Sequence, residues 1–216
     1  FGVKKADIGR RIDNEVERQR ALRKADSLNS PVTPYGVGID VLINVLTEAE
    51  VSVLPDGGKL YLIEIGSGGA FGLQLHFDKF HLPEGSHVYI YNRDRSTKLG
   101  AYTKINNNPS SEFAIQIVKG DTLTLEYYEP ETTEFKAELR INRLIHVFGP
   151  VFRGQGATER SFGDAGPCHI NVNCDPVYSE ESKAVARIAV FDHVLNTSGF
   201  VSGSLINSVN TKNYLL

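Results

Sequence analysis

The sequence has no tryptophan, only two cysteines in 216 residues, and no large excess of charge. A net charge of −3 gives no reason to expect a nucleic-acid partner or an anionic membrane, since both attract strongly basic surfaces. The apolar runs are short, far below the about 20 residues of a membrane-spanning helix. The length of the chain suits one large β domain, or one domain with a fragment of another.

The first 34 residues differ from the rest in being charged and helix-prone. Residues 4–28 predict a single amphipathic helix that lies on the following domain, or a partly disordered leader. The apolar positions near helical spacing are Ile8, Ile12, Val16 and Leu22. The polar positions mix both signs of charge, which argues against a membrane-surface helix. The stretch Ser27 to Pro34 (SLNSPVTP) predicts a linker.

From residue 35 to about residue 150 the hydrophobic pattern changes to period two. It is clearest in LYLIEI, GLQLHFD, EFAIQIV, LTLEYYE and FKAELRI. Alternation of this kind is typical of antiparallel sheets with one buried and one solvated face. Glycine, proline and asparagine clusters separate the runs at loop spacing. We therefore predict an all-β domain, an antiparallel β-sandwich of jelly-roll-like form, with about eight or nine short strands.

The end of the chain, Gly163 to Leu216, reads GDAGPCHINVNC, then SKAVARIAVF, then SGFVSGSLINSVNTKNYLL. It resembles the opening of a trypsin-like serine protease domain, and more narrowly the secreted lysyl-endopeptidase-like peptidases of bacteria. The resemblance implies that residues 165–216 are the first, incomplete part of a chymotrypsin-like β-barrel. In that barrel, residues 203–207 (GSLIN) would form a turn. The catalytic histidine would follow shortly after the strand at residues 214–216.

Residues 35–150 add to this resemblance through FDKFHLPEGSHVYIYN and ELRINRLIH. They are similar to the non-catalytic β-sandwich that precedes the protease domain in lysyl-endopeptidase-like proteins of Bacteroidetes. The resemblance implies a pro-domain or accessory domain that packs on the protease or assists its folding. A free-standing adhesion or carbohydrate-binding module is the alternative.

Residues 151–164 predict an exposed linker rich in glycine and polar side chains. Arg153 and Arg160 are the candidate processing sites, and both a cut and an uncut linker are open. The resemblance implies a mature start near Gly163. No charged start and apolar core precede Phe1, so we expect the numbering to begin after a removed export signal or at an artificial boundary.

Cys168 and Cys174 flank the strand-like segment INVN. A strand of that length spans about 20 Å, whereas the Cα atoms of a disulfide lie within about 7 Å, so a local bridge requires the backbone to turn back. The resemblance implies instead that each cysteine pairs farther down the protease domain. Those partners are absent here, so we expect two free thiols or intermolecular bonds. The cysteines and the resemblance together favour a secreted, periplasmic or cell-surface location.

A serine protease needs a serine nucleophile, a histidine base and an aspartate. No GDSGG occurs, Ser204 lies in the expected GSLIN turn, and neither His169 nor His193 matches a triad position. We expect no peptidase activity from this chain, no catalytic residue in it and no cofactor. The expected partners are the remainder of the protease domain and, for the parent, protein substrates.

Two further groups of side chains are candidate sites. A metal cluster of His76, Asp78 and His81 is less expected than ordinary solvent-facing side chains, because zinc needs three or four converging ligands. An aromatic ligand platform is the second possibility, with core or edge packing as the more frequent outcome. Its members would be Tyr89, Tyr91, Tyr127 and Tyr128.

Overall fold

The computed structural model describes residues 4–7, 12–30, 32–149, 151, 176–207 and 213–215. The α-helices in these ranges are α1 (Asn14–Ser27) and α2 (Val45–Glu48). The strands are β1 (Lys4–Asp7), β2 (Thr33–Asn44), β3 (Glu50–Val53), β4 (Lys59–Gly66), β5 (Gly72–His81), β6 (His87–Asn92), β7 (Lys98–Tyr102), β8 (Phe113–Ala114), β9 (Val118–Lys119), β10 (Thr122–Glu129), β11 (Glu138–Val147), β12 (Val185–Asp192), β13 (Thr197–Asn207) and β14 (Asn213–Leu215). The prediction of a mostly β protein is confirmed.

The strands form two sheets. The first has the order β1-β4-β10-β6-β7, with β3 also on β4. The second has the order β12-β13-β2-β11-β5-β8, with β9 also on β5 and β14 on β13. Neighbours within the two sheets are antiparallel except β1 and β4, which run parallel.

The hydrophobic core is built from the inward positions that the period-two pattern predicts. Leu123, Leu125 and Tyr127 of β10 are fully buried, as are Leu73 and Leu75 of β5. They form one cluster with apolar side chains of β4, β6 and β11. Burial of this cluster is the main stabilising contribution to the fold, because each Å² of apolar surface removed from water contributes about 25 cal/mol.

The run EFAIQIV does not form one strand as predicted. It is divided into the short strands β8 and β9. The buried Gln74 explains the break, because its Nε2 donates to the Ile115 carbonyl at 2.9 Å. A side chain thereby satisfies a backbone acceptor that a strand neighbour would otherwise bond.

Helix α1 begins later than predicted. Asp13 caps it by accepting from the amides of Glu15 and Val16, which is the ordinary role of aspartate at this position. The buried face consists of Ala21 and Ala25, whereas Val16 of the predicted apolar stripe is 49% exposed. The prediction of one helix over residues 4–28 is therefore wrong at its start, where β1 adds a strand to β4.

The last described strands join the sandwich. Residues 193–196 turn the chain between β12 and β13, and β13 pairs with β2 at the edge of the second sheet. The predicted GSLIN turn is wrong, because residues 203–207 are the last part of β13 and pair with β12 or β14. Pairing with one neighbouring strand and then the other keeps this segment extended.

We expect Leu125→Ala to lower the free energy of unfolding by about 2–5 kcal/mol, because it leaves a cavity beside a fully buried side chain. The matched control is Leu42→Ala on β2, whose side chain is 73% exposed and which should cost far less. Urea unfolding followed by circular dichroism measures both. Equal losses would contradict the assignment of the core.

Candidate interaction site

The contact between β2 and the hairpin β12–β13 is called here the seam. Its backbone register pairs Thr197 with Val37 and Ser198 with Gly36 before a shift in register. At the hairpin turn, the Gly38 amide donates to the Asn196 carbonyl at 3.0 Å. The Asn196 side-chain amide donates back to the Gly38 carbonyl at 2.8 Å. The seam is thus held by backbone and side-chain hydrogen bonds together.

A ring stack covers one end of the seam. The Tyr35 and Phe200 rings are stacked with centroids 4.3 Å apart, and the Arg187 guanidinium lies 4.2 Å from the Phe200 centroid. The Tyr35 hydroxyl donates to Gln74 Oε1 at 2.9 Å, and burial raises the pKa of Tyr35 to about 12. Tyr35 therefore stays neutral at physiological pH and contributes an apolar ring with a satisfied hydroxyl.

Phe191 lies on the outer surface of the second sheet. The Arg143 guanidinium sits 4.3 Å from its ring centroid, and the His76 ring meets it edge-on at 5.5 Å. Arg143 is itself oriented by Asp40, whose Oδ1 accepts from Nε at 3.0 Å and from Nη2 at 2.7 Å. Burial, followed by the charge of Arg143 and the proximity of His193, lowers the pKa of His76 to about 4.

Glycine makes this close approach possible at two points. A Cβ at Gly38 would lie 2.9 Å from Phe191 Cε2. A Cβ at Gly199 would overlap Val32 Cγ1 and would lie 2.8 Å from the Thr33 carbonyl oxygen. The second clash involves backbone, so it cannot be relieved by rotating a side chain. The seam therefore requires glycine at residue 199, because any larger side chain would collide with β2.

Helix α1 braces the hairpin turn. Lys24 Nζ donates to the Val194 carbonyl at 2.7 Å, and Leu195 beside it is buried. Helix α1, β2 and the turn line an open cavity of about 410 Å³, which has both apolar and charged side chains in its walls. The leader, the sandwich and the hairpin thus contact each other at one place.

The buried Ser67 and His146 form a polar cluster with the half-buried Asn14, which the sequence did not predict. Ser67 Oγ lies 2.8 Å from His146 Nδ1, and Asn14 Oδ1 lies 2.7 Å from His146 Nε2. Because the Asn14 amide donates to the Gly69 carbonyl, its oxygen accepts from Nε2–H, and Nδ1 accepts from the serine.

This arrangement has the components of a nucleophile, a base and an orienting group, but it cannot work as one. Ser67 is 1% exposed, so no substrate reaches its oxygen. Burial lowers the pKa of His146 to about 4, which makes it a poor general base at neutral pH. The cluster instead ties the start of α1 to β11 and to the loop after β4. A serine and a histidine 79 positions apart give no local sequence signal.

The residues weighed as a metal site do not converge. His76 contacts Phe191, Asp78 accepts two hydrogen bonds from Arg140 at 2.9 and 2.6 Å, and the His81 ring packs 4.7 Å from Phe135. In the part of the chain that the structure describes, no three His, Cys, Asp or Glu side chains are grouped to hold a metal ion.

The four tyrosines weighed as a platform are divided between the two faces of the first sheet. Tyr127 is buried in the core, whereas Tyr89, Tyr91 and Tyr128 are half-buried on the outer face. The remaining predicted residues, Cys168, Cys174, Arg153 and Arg160, lie outside the described residues. His193 lies in the hairpin turn with its ring 4.9 Å from Phe191.

The comparisons with known proteins found no protein-family model, no curated protein and no solved structure that matches this chain. None of the helices in the described ranges is both long and apolar enough to span a membrane.

Gly199→Ala should open the seam, because the added methyl group meets the backbone of β2. We expect the Gly38 amide, which bonds to Asn196, to exchange with deuterium at least about tenfold faster. Gly68→Ala is the matched control, since no atom lies within 4 Å of a Cβ at that site. Unchanged exchange in Gly199→Ala would contradict the close packing of β13 on β2.

The pKa of His146 predicts a loss of stability in acid. Its folded value of about 4 lies below its ordinary value of 6.5, so the unfolded chain takes up a proton first. The part of the free energy of unfolding that depends on neutral His146 is fully present above pH 6.5 and is lost as the pH falls toward 4. The complete loss is on the order of 3 kcal/mol. The pKa of His76 is displaced in the same direction.

Urea unfolding at about pH 7 and pH 4.5 measures this loss, in a range where most carboxylates remain ionised. We expect a lower midpoint at the acid pH and a smaller difference in His146→Gln, which removes the titrating group. An equal drop in both proteins would assign the acid sensitivity to other groups.

Proposed function

We propose that residues 1–150 are the non-catalytic pro-domain or accessory domain of a secreted trypsin-like serine endopeptidase, and that residues 165–216 begin its protease domain. The observation that carries the proposal is the pairing of β13 with β2. A sandwich that assists or restrains a neighbouring domain needs a surface that holds part of that domain. The seam supports this role, because it combines an edge strand with the buried ring of Tyr35 and the partly buried rings of Phe191 and Phe200.

The sandwich is proposed to be a jelly roll. In support, β2-β11-β5-β8 are neighbours in one sheet and β4-β10-β6-β7 in the other. The chain therefore crosses from one sheet to the other after β2, β4, β5, β7, β9 and β10, as in a barrel rolled up from a long antiparallel hairpin. In this arrangement β2 is an edge strand of the sandwich proper, which leaves its outer hydrogen-bonding groups available to β13.

The proposed mechanism is addition of a strand to that edge. β12, β13 and β14 run antiparallel in chain order, the arrangement expected for the first three strands of a protease barrel. Pairing with β2 would shield one edge of these strands until the rest of the barrel forms. The linker at residues 151–164 would keep the two parts at high effective concentration, so that a modest contact suffices.

The activity of the parent is part of the same proposal and rests on the sequence resemblance. Within the described ranges, the serine and histidine that meet in the sandwich are buried, so they do not supply a triad. The role of the chain would be to hold the front of the protease domain, and the protease chemistry would come from residues beyond those of this sequence.

The experiment is to place a sequence-specific protease site between Arg153 and Arg160, cut the folded chain and analyse it by size-exclusion chromatography. If the sandwich holds the protease segment, the two pieces should elute together, and the same cut in Gly199→Ala should separate them. Gly68→Ala should behave like the wild-type chain. Separation of the wild-type pieces would overturn the proposal that the sandwich retains the segment.

The coding sequence provides a second test. A trypsin-like parent requires the reading frame to continue past Leu216 into a T-A-x-H strand and later a GDSGG motif. A reading frame without these motifs would remove the protease from the proposal and leave a sandwich with an added hairpin.

A further inference from the structure

The outer face of the first sheet carries a group of aromatic rings, called here the ring face. Its members are His87, Tyr89, Tyr91 and Tyr128. The register places Tyr128 opposite His87 and Glu126 opposite Tyr89, so the rings lie side by side on β6 and β10. The seam hairpin covers the second sheet instead, through Phe191 and Phe200.

The rings are held in place before any ligand arrives. The Tyr128 hydroxyl donates to Asp56 at 2.9 Å, and the His87 ring stacks on Tyr128 with centroids 5.0 Å apart. The Tyr91 hydroxyl donates to Glu126 at 3.0 Å. Rings fixed in this way lose little conformational entropy when a ligand stacks on them.

A cavity of about 460 Å³ adjoins the ring face, and its lining includes His87, Tyr89, Thr103, Lys104 and Glu84. The last two form an ion pair at 3.1 Å on its rim. This volume is within the range of small-ligand sites. Rings on one side and hydrogen-bonding groups on the other give the cavity two kinds of contact.

The charges around the rings are balanced. Asp56, Glu84 and Glu126 are acidic, while Lys98 and Lys104 are basic, with Arg95 of the same sign close by. Lys98 Nζ lies 4.0 Å from the Tyr89 centroid, and the Arg95 guanidinium lies 4.8 Å from that of Tyr91. A strongly anionic or cationic partner would meet like charges here, whereas a neutral ligand with many hydroxyl groups would find both donors and acceptors.

We infer that the ring face and its cavity bind a neutral oligosaccharide. The C–H face of a sugar ring stacks on Tyr89 and His87, and its hydroxyl groups bond to Glu84, Lys104 and Glu126. Aromatic side chains with polar neighbours suit such a ligand because one surface is apolar and its rim is polar. This inference is independent of the protease proposal, since the ring face lies on the sheet that the seam does not use.

The test is affinity electrophoresis of the full chain in gels that contain neutral polysaccharides: laminarin, hydroxyethyl cellulose, xyloglucan or amylopectin. Polygalacturonate and heparin serve as anionic probes. We expect at least one neutral polysaccharide to retard the wild-type chain. Tyr89→Ala and Tyr128→Ala should each weaken that retardation about tenfold, which corresponds to about 1.4 kcal/mol.

The matched control is Tyr178→Ala, which removes a 54% exposed tyrosine outside the sandwich. It should bind like the wild-type chain. Circular dichroism must show that the two ring-face variants are folded, and Tyr89→Phe, which keeps the ring, should retain binding. The inference is overturned if no neutral polysaccharide retards the chain, if only the anionic probes do so, or if Tyr178→Ala loses binding equally.

Discussion

The backbone pairing of β13 with β2 is the contact on which the relation between the two parts of the chain depends. It extends the second sheet across what the sequence divides into two segments, so that β12 and β13 continue the order β2-β11-β5-β8. Strand pairing demands close approach, since neighbouring strands lie about 4.8 Å apart. Gly199 satisfies that demand next to Val32 and Thr33, and the rings of Phe191 and Phe200 then reach the sheet surface.

The outer surface of the second sheet has a different chemistry as a result. His76, Arg143 and Gln74 alternate with core residues and would face water on an isolated sandwich. The hairpin packs Phe191 and Phe200 against this face, where buried Tyr35, Ile145 and Val147 form a second small hydrophobic cluster. This packing buries His76 beside the Arg143 guanidinium. Both effects disfavour the protonated imidazole, so the pKa of His76 falls.

Polar side chains in the interior join elements that are distant in sequence. Gln74 connects Tyr35 to the Ile115 carbonyl, and His146 connects Ser67 to Asn14. Buried groups of this kind stabilise only when every donor has an acceptor, so they specify one arrangement of the chain. The outer faces of the two sheets thus differ. The hairpin β12–β13 covers that of the second sheet, whereas that of the first sheet presents the ring face to a ligand.

The sequence by itself determined the class of fold and most of the core, because a period of two in hydrophobicity can be satisfied only by strands with one buried face. That reasoning identified the inward positions of β4, β5, β10 and β11. The turn that the protease resemblance implied at residues 203–207 is instead part of a strand. The helix predicted from residue 4 is replaced at its start by β1, where pairing with β4 outweighs helical propensity.

Only the tertiary structure decided which faces are covered. It placed Tyr127 inside and Tyr89, Tyr91 and Tyr128 outside, dispersed His76, Asp78 and His81, and brought Ser67 to His146. The physical reason is that hydrogen bonds and ring contacts depend on distance in space, whereas a sequence pattern records only the local alternation of side chains.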